Sequence, residues 1–181
     1  MVSCFSARFN CLGGLAGGFS ARVQEYLMSE IRIRPATPAD IATVVRHRKQ
    51  MFTDMGRGTR ADLEAMESTT TTYLRDAMPA GRYQGWLAET AEGHVVAGVG
   101  IAIVPWPGSP DDLAPRRGWV INVYTEAEYR RRGIAKRLME SLVAWCRADG
   151  FGSIALHASE FGRALYEGMG FKPTNEMRLK L

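Results

Sequence analysis

The stretch that decides the fold is Trp119-Val120-Ile121-Asn122-Val123-Tyr124-Thr125-Glu126-Ala127-Glu128-Tyr129-Arg130-Arg131-Arg132-Gly133-Ile134-Ala135-Lys136. It reads as a strand, a short loop and the mouth of a helix. Gly118–Thr125 carries the β-branched and aromatic residues of a strand. Beyond the loop, Ile134, Leu138, Leu142, Trp145 and Cys146 share one helical face, while Lys136, Glu140 and Arg147 lie off it. Asp149-Gly150 closes that helix. Arg130, Arg131 and Arg132 stand before Gly133 at its start. A helix start exposes about four unpaired N–H groups and the positive end of the dipole. Gly133 and Ala135 lack bulk, so the backbone can approach a ligand closely. These features make an anion cradle suited to a pyrophosphate. Taken alone, the same residues read somewhat better as a basic helix cap with solvated arginines, because Arg is usually placed at the other end of a helix.

Working outward, Ile31–Arg34 alternates apolar and basic residues as a short strand does. Thr37-Pro38-Ala39-Asp40 then starts a helix, with Thr37 as N-cap and Pro38 in the first turn. Its face is carried by Ile41, Val44, Val45, Arg48 and Phe52, and it stops at Met55-Gly56. A second helix is expected from about Arg60 to Met78, with weak propensity at Thr69–Thr72. Strands are expected at Tyr83–Glu89 and Val95–Val104, joined by a turn at Ala91–His94. The second of these is nearly all apolar, as in a central strand buried on both faces. Gly98 and Gly100 make no dinucleotide fingerprint, since no third glycine and no helix follow. A proline-rich loop spans Pro105–Arg117. Downstream lie a strand at Ser153–Ala158, a helix from about Gly162 to Met169 and a last strand at Met177–Lys180. The order describes one α/β domain with a mixed central sheet flanked by helices.

Arg130-x-x-Gly133-x-Ala135, following a strand and opening a helix, resembles the Gln/Arg-x-x-Gly-x-Gly/Ala signature of the GNAT superfamily of acyl-CoA-dependent N-acetyltransferases. Ala164-Leu165-Tyr166-Glu167-x-x-Gly170-Phe171 resembles the second landmark of that family, at the usual distance. The resemblance covers about Ile31 to Leu181 and assigns residues 28–181 to an N-acetyltransferase domain. It implies a sheet splayed between the fourth and fifth strands, with acetyl-CoA inserted into the gap. Carried over by position, backbone N–H groups of Arg131, Arg132, Gly133, Ile134, Ala135 and Lys136, next to Arg130, would hold the pyrophosphate. The backbone at Asn122, Val123 and Tyr124 would pair with the pantetheine like an extra strand. The Val123 N–H would stabilise the oxyanion, and Tyr166 would protonate the departing thiolate. Ser159 stands where many relatives have an asparagine that contacts the cofactor.

The reaction so implied is direct attack of the neutral primary amine of a small molecule on the thioester. Trp119 occupies the region where some relatives place a glutamate base, so the resemblance assigns no base. Glu126, Glu128 and His157 are candidates, each with a plainer reading as a solvated loop carboxylate or a packed strand residue. Tyr166 by itself reads as an aromatic packed beside Leu165 and Phe171; the motif shifts it to the acid role. Arg48, Phe52 and Met55, with the Val104–Gly108 loop and Trp106, line the acceptor side or else form core and rim. Two other readings stay open: a protein N-terminal or lysine acetyltransferase, which needs an open groove, and a non-catalytic acyl-CoA-binding module, which could dispense with Tyr166. Nucleic-acid binding is disfavoured, because the basic residues form one cluster without interleaved aromatics.

The bulk numbers agree with this. The length of 181 residues suits one domain. No apolar run reaches the ~18 residues that span a membrane. The net charge of +4 suits an anionic ligand and is equally common without one. Cys4, Cys11 and Cys146 form no CxxC pair, and His47, His94 and His157 are far apart, so neither a disulfide framework nor a metal site is expected. A reducing, cytoplasmic setting fits best; monomer and homodimer are both compatible. Residues 1–27 contain Gly13-Gly14, Gly17-Gly18, serines, Arg8 and Arg22, with no acid before Glu25. They read as a transit peptide or, in preference, as an extension ahead of a natural start at Met28, with a disordered tail in either case.

Overall fold

A computed structural model describes residues 31–179; the expected leader, residues 1–27, lies outside the described residues. The elements run β1 (Arg32–Pro35), α1 (Ile41–Asp54), α2 (Arg60–Ala77), β2 (Tyr83–Glu89), β3 (Val95–Pro105), β4 (Arg116–Thr125), α3 (Ile134–Ala148), β5 (Ile154–Leu156) and α4 (Glu160–Gly168), with short 3-10 turns at Pro38–Asp40 and Ala127–Tyr129. The five strands form one sheet in the order β1-β2-β3-β4-β5. The first four pair antiparallel and β5 joins β4 in parallel, as the α3 crossover requires. The expected mixed α/β sheet is therefore present.

The apolar run of β3 makes it central. Val96, Ala97, Val99 and Ile101 are all buried between β2 and β4. On one sheet face α3 lays Ile134, Leu138, Met139, Leu142 and Cys146 against Val96, Val99 and Val120. On the other, α1 and α2 contribute Val44, Val45, Leu74 and Ala77 to a second cluster with Tyr83 and Leu87. The Pro38–Asp40 turn that leads into α1 starts on a capping box, Thr37 with Asp40, and α2 starts on another, Thr59 with Asp62. The threonine run does not break α2. Thr69, Thr71 and Thr72 turn their hydroxyls back onto carbonyls of their own helix, and fully buried Leu74 and Ala77 anchor the last turns. Tertiary packing overrides the weak propensity.

One expected strand is not found. Residues 177–179, the described part of Met177–Lys180, pair with no strand. Met177 is 94% exposed. The tail is tied to β5 by side chains instead of a ladder: His157 Nε2 lies 2.9 Å from Glu176 Oε1, and Arg178 reaches both groups. The splay is present. Pairing between β4 and β5 covers Gly118–Ile154, Trp119–Ala155 and Val120–Leu156 and then ends, while β4 continues to Thr125. No helix among the described residues is long and apolar enough to cross a membrane.

Candidate active site

The free stretch of β4 carries a bulge. Gly98 pairs with Tyr124 and Gly100 with Ile121, so Asn122 and Val123 together oppose Val99. Asn122 takes the left-handed conformation that this needs (φ 59°), which asparagine tolerates better than most residues. The extra residue re-aims the side chains. Ile121 packs with the α1–α2 cluster, Asn122 points to the same face, and Val123 packs on the α3 side. Buried Asn122 accepts a 2.6 Å hydrogen bond from Arg48 Nη1 and donates a 3.4 Å one to the Tyr83 hydroxyl. Tyr83 can sit there because residue 100 is glycine: a Cβ would lie 2.0 Å from its hydroxyl. Burial first pushes the Tyr83 pKa up to about 12, only partly offset by its bond with Asn122, so its hydroxyl is neutral at physiological pH.

The helix mouth is built mainly from backbone. Arg131 (φ 58°) and Gly133 (φ 75°) are both left-handed, and they turn the chain into α3. Gly133 takes this conformation without the Cβ cost that Arg131 bears. Arg137 N–H to Gly133 C=O, 3.1 Å, opens the helical ladder. The N–H groups of Ile134, Ala135 and Lys136 consequently have no helical acceptor. Ile134 is buried and pins this turn to the core. The mouth fits a pyrophosphate. The side chains contribute less than the sequence suggests. Arg130 donates to Thr125 C=O at 2.9 Å, pairs with Asp54 and lies over the Tyr124 ring. Arg132 donates to Glu128 C=O at 2.7 Å and lies over Tyr129. Both staple the loop to its surroundings, leaving exposed Arg131 and Lys136, the latter 3.8 Å from Glu140, as the outward charges.

Ser159 is the N-cap of α4, its Oγ accepting from Gly162 N–H at 3.3 Å. Tyr166, 8% exposed, belongs to the α3-side core and meets the Phe171 ring edge-on at 6.0 Å. Burial raises its pKa. It also lines a cavity of about 980 Å³ beside β5, α4 and the tail, which no residue from Asn122 to Lys136 lines. Tyr166 nonetheless belongs to the same packed cluster as Ile134 of the helix mouth and Val123 of the bulge. A second cavity of about 290 Å³ lies between α1, α2 and the sheet, lined by Arg48, Thr69, Thr70, Tyr73, Ile121 and Asn122 among others. Of the residues expected on the acceptor side, Arg48 lines it and Phe52 lies under the Arg48 guanidinium at 5.0 Å, while Met55 and the exposed Trp106 are outside its lining.

None of the three base candidates lines that cavity. Glu126 accepts from Arg46 at 2.7 Å and lies 3.7 Å from both His47 and His94. His157 stacks on Trp119 and is bonded to Glu176; Glu128 is exposed. Among the described residues no group of His, Cys, Asp and Glu gathers in a metal-binding cluster. What the sequence did not disclose is the Arg48–Asn122–Tyr83 chain. Its signals were faint: an arginine on the apolar face of α1, and an asparagine in the middle of a strand.

Residues 50–171 match the Acetyltransferase (GNAT) family. Human N-acetyltransferase 8 is 33% identical over 94 residues, which is 50% of this chain and 39% of that protein. Human N-acetyltransferase 8B is 31% identical over 114 residues, 61% of this chain and 46% of that one. The match thus spans less than half the length of these curated relatives. Among solved structures, a GCN5-related N-acetyltransferase from Ralstonia eutropha JMP134 superposes with a TM-score of 0.78 at 35% identity, covering 83% of this chain and 98% of that one. A predicted acetyltransferase from Clostridium acetobutylicum, solved with acetyl-CoA, gives 0.75 at 29% identity over 83% and 95% of the two chains. With the matched family region containing the bulged strand, the helix mouth and Tyr166, the chain belongs to the GNAT acetyltransferase family.

Proposed function

We propose that the protein moves the acetyl group of acetyl-CoA to a primary amine of a small molecule by direct attack, in the cytoplasm. The observation that carries this reading is the stretch of β4 beyond Val120, whose β5-side edge is left free and which is joined by one short loop to the helix mouth at Gly133. When bound, acetyl-CoA supplies an activated acetyl thioester. The backbone of Asn122–Tyr124 offers the edge to which its pantetheine arm adds, and the N–H groups from Arg131 to Lys136 take the pyrophosphate. The Val123 N–H stabilises negative charge developing on the thioester oxygen. The amine nitrogen forms the new C–N bond and gives its proton to water. The C–S bond breaks, its electron pair goes to sulfur, and Tyr166 supplies the proton that makes the free thiol, regaining one from solvent. Ser159 keeps its hydroxyl hydrogen available beside this path. The acceptor cavity of about 290 Å³ supports a small molecule, being at the lower end of small-molecule pockets.

The test is free-thiol release from acetyl-CoA with a panel of amines, antibiotics and peptides, alongside melting curves. Acetyl-CoA at about 100 times its dissociation constant adds about 2.7 kcal/mol of stability. Small amines are expected to release thiol. Absence of both a melting shift at millimolar acetyl-CoA and thiol release with every acceptor overturns the proposal, and turnover confined to peptides overturns its small-molecule half.

A further inference from the structure

We propose that Arg48 binds a carboxylate of the acceptor, so that the acceptor is a small amino acid whose amine lies a few bonds from its acid group. This rests on the acetyl-transfer reading and names the substrate class for the same site.

Arg48 stands on α1 facing the sheet, partly withdrawn from solvent. Among the described residues its one hydrogen bond to a side chain goes from Nη1 to Asn122 Oδ1. A guanidinium has five N–H donors. Other partly buried arginines meet acids: Arg34 pairs with Asp40 and Glu89, and Arg117 with Asp112. Among the described residues Arg48 has no such partner; the ionisable groups that face it are the Tyr73 and Tyr83 hydroxyls, both neutral at physiological pH. Burial pushes its pKa down, yet arginine stays charged. A desolvated cation without a counter-charge is unfavourable, and a bound anion relieves it.

The cavity in front of Arg48 has room for a small group, about 290 Å³, and Arg48 is the charged residue in its lining. The Thr69 hydroxyl is bonded to carbonyls of its own helix and competes little for a ligand. The bulge sets the position relative to the chemistry. Asn122, which holds the guanidinium, is the residue next to Val123, so an anion on Arg48 lies close to the proposed thioester site. Charge selects a carboxylate over a phosphate. With Nη1 engaged, the Nε and Nη2 edge offers two parallel donors to two oxygens. One guanidinium balances one carboxylate charge, and Arg57, which also lies over Phe52, is not in the cavity lining.

The experiment compares thiol release from acetyl-CoA for glycine, alanine, phenylalanine, β-alanine and 4-aminobutyrate, each beside its methyl ester, with aminomethylphosphonate as the phosphate-like acceptor. At least one acid is expected to exceed its ester in kcat/KM by about 100-fold or more. Arg48→Gln is expected to collapse that ratio towards one with acetyl-CoA affinity retained, and Arg48→Lys, which keeps charge without the fork, to restore part of it. Esters acetylated as well as acids by the wild-type protein overturn the inference while leaving acetyl transfer standing; so does preference for the phosphonate. If none of these releases thiol while another amine does, the inference is overturned and acetyl transfer stands; if no amine of any kind releases thiol and acetyl-CoA gives no melting shift, the acetyl-transfer reading fails instead. Calorimetry with N-acetyl amino acids against their methyl amides then decides the carboxylate site: tighter binding of the acids, lost in Arg48→Gln, supports it, and equal binding overturns it. Because the selectivity is read first on wild-type protein, a poorly folding variant does not shield the idea.

Discussion

Tyr166 is asked to pack and to donate a proton, and removing its hydroxyl separates the two. Tyr166→Phe keeps the ring against Phe171 and the α3-side core. Loss of a hydroxyl costs about 1 kcal/mol of stability if it was satisfied. As a general acid the group contributes about 10²–10⁴-fold. Its raised pKa keeps it protonated, but it also makes full transfer to a thiolate uphill, since a free thiol titrates near ~8.5 and a tyrosine near ~10. That gap, ~2 kcal/mol between the ordinary values, places the transfer late, out of a hydrogen bond that tightens as the C–S bond breaks, with solvent restoring the tyrosine proton. Turnover is accordingly expected to fall by about 10²-fold, the lower end of the range, with acetyl-CoA affinity little changed. Melting temperature and turnover measured on one preparation decide it; unchanged turnover removes the acid role and leaves a packing tyrosine.

At the scale of elements, the strand-to-helix joint is the testable unit. Gly133→Ala puts a Cβ on a residue at φ 75°, at a strain of about 1–2 kcal/mol. Relief by rotating the residue swings the orphan N–H groups out of line. A tenfold weakening of acetyl-CoA binding corresponds to ~1.4 kcal/mol, and about that loss is expected by calorimetry. Arg131→Gln, which removes an outward charge and leaves the mouth in shape, is expected to cost less, with a loss that shrinks in high salt. Equal and salt-insensitive effects for the two variants argue against a backbone cradle. The joint was legible from sequence because strand, glycine and amphipathic helix are contiguous there. Elsewhere the boundaries followed packing that no local pattern carries. The Thr69–Thr72 run stays helical because Leu74 and Ala77 are buried below it. Met177-Arg178-Leu179-Lys180 alternates apolar and basic residues, and alternation does not supply a pairing partner.

Across the whole molecule, what was hidden is what joins distant segments. Arg48 and Asn122 are 74 residues apart and Asn122 and Tyr83 are 39 apart; only the bulge brings them together. The same holds for His47, one residue from Arg48, whose burial could not be read from its neighbours. It is 2% exposed, its Nδ1 has no hydrogen-bond partner among the described residues, and its ring lies 5.1 Å from that of Tyr124. Arg46 Nη2 lies 3.2 Å from Nε2, which suits a neutral ring accepting there. Burial first, then the Arg46 charge, lower its pKa from 6.5 to about 4, with Glu126 pulling the other way. The unfolded chain therefore takes up a proton near pH 6.5 that the folded protein refuses until about pH 4. Stability from this group is complete above pH 6.5 and declines as pH falls through the window, by at most ~1.4 kcal/mol per pH unit. Asp40, held down to about 2 chiefly by its hydrogen bond from Arg34, acts in a separate window: its contribution is present above 3.8 and is lost as pH falls through 2. Urea unfolding at pH 7.5, 5.5 and 4.5 is expected to show the His47 slope in the wild-type protein and a flatter profile in His47→Gln, which lacks the titrating ring. A variant less stable at pH 7.5 still serves, because the slope and not the intercept carries the claim. Equal slopes in the two proteins mean that other groups set the acid limb.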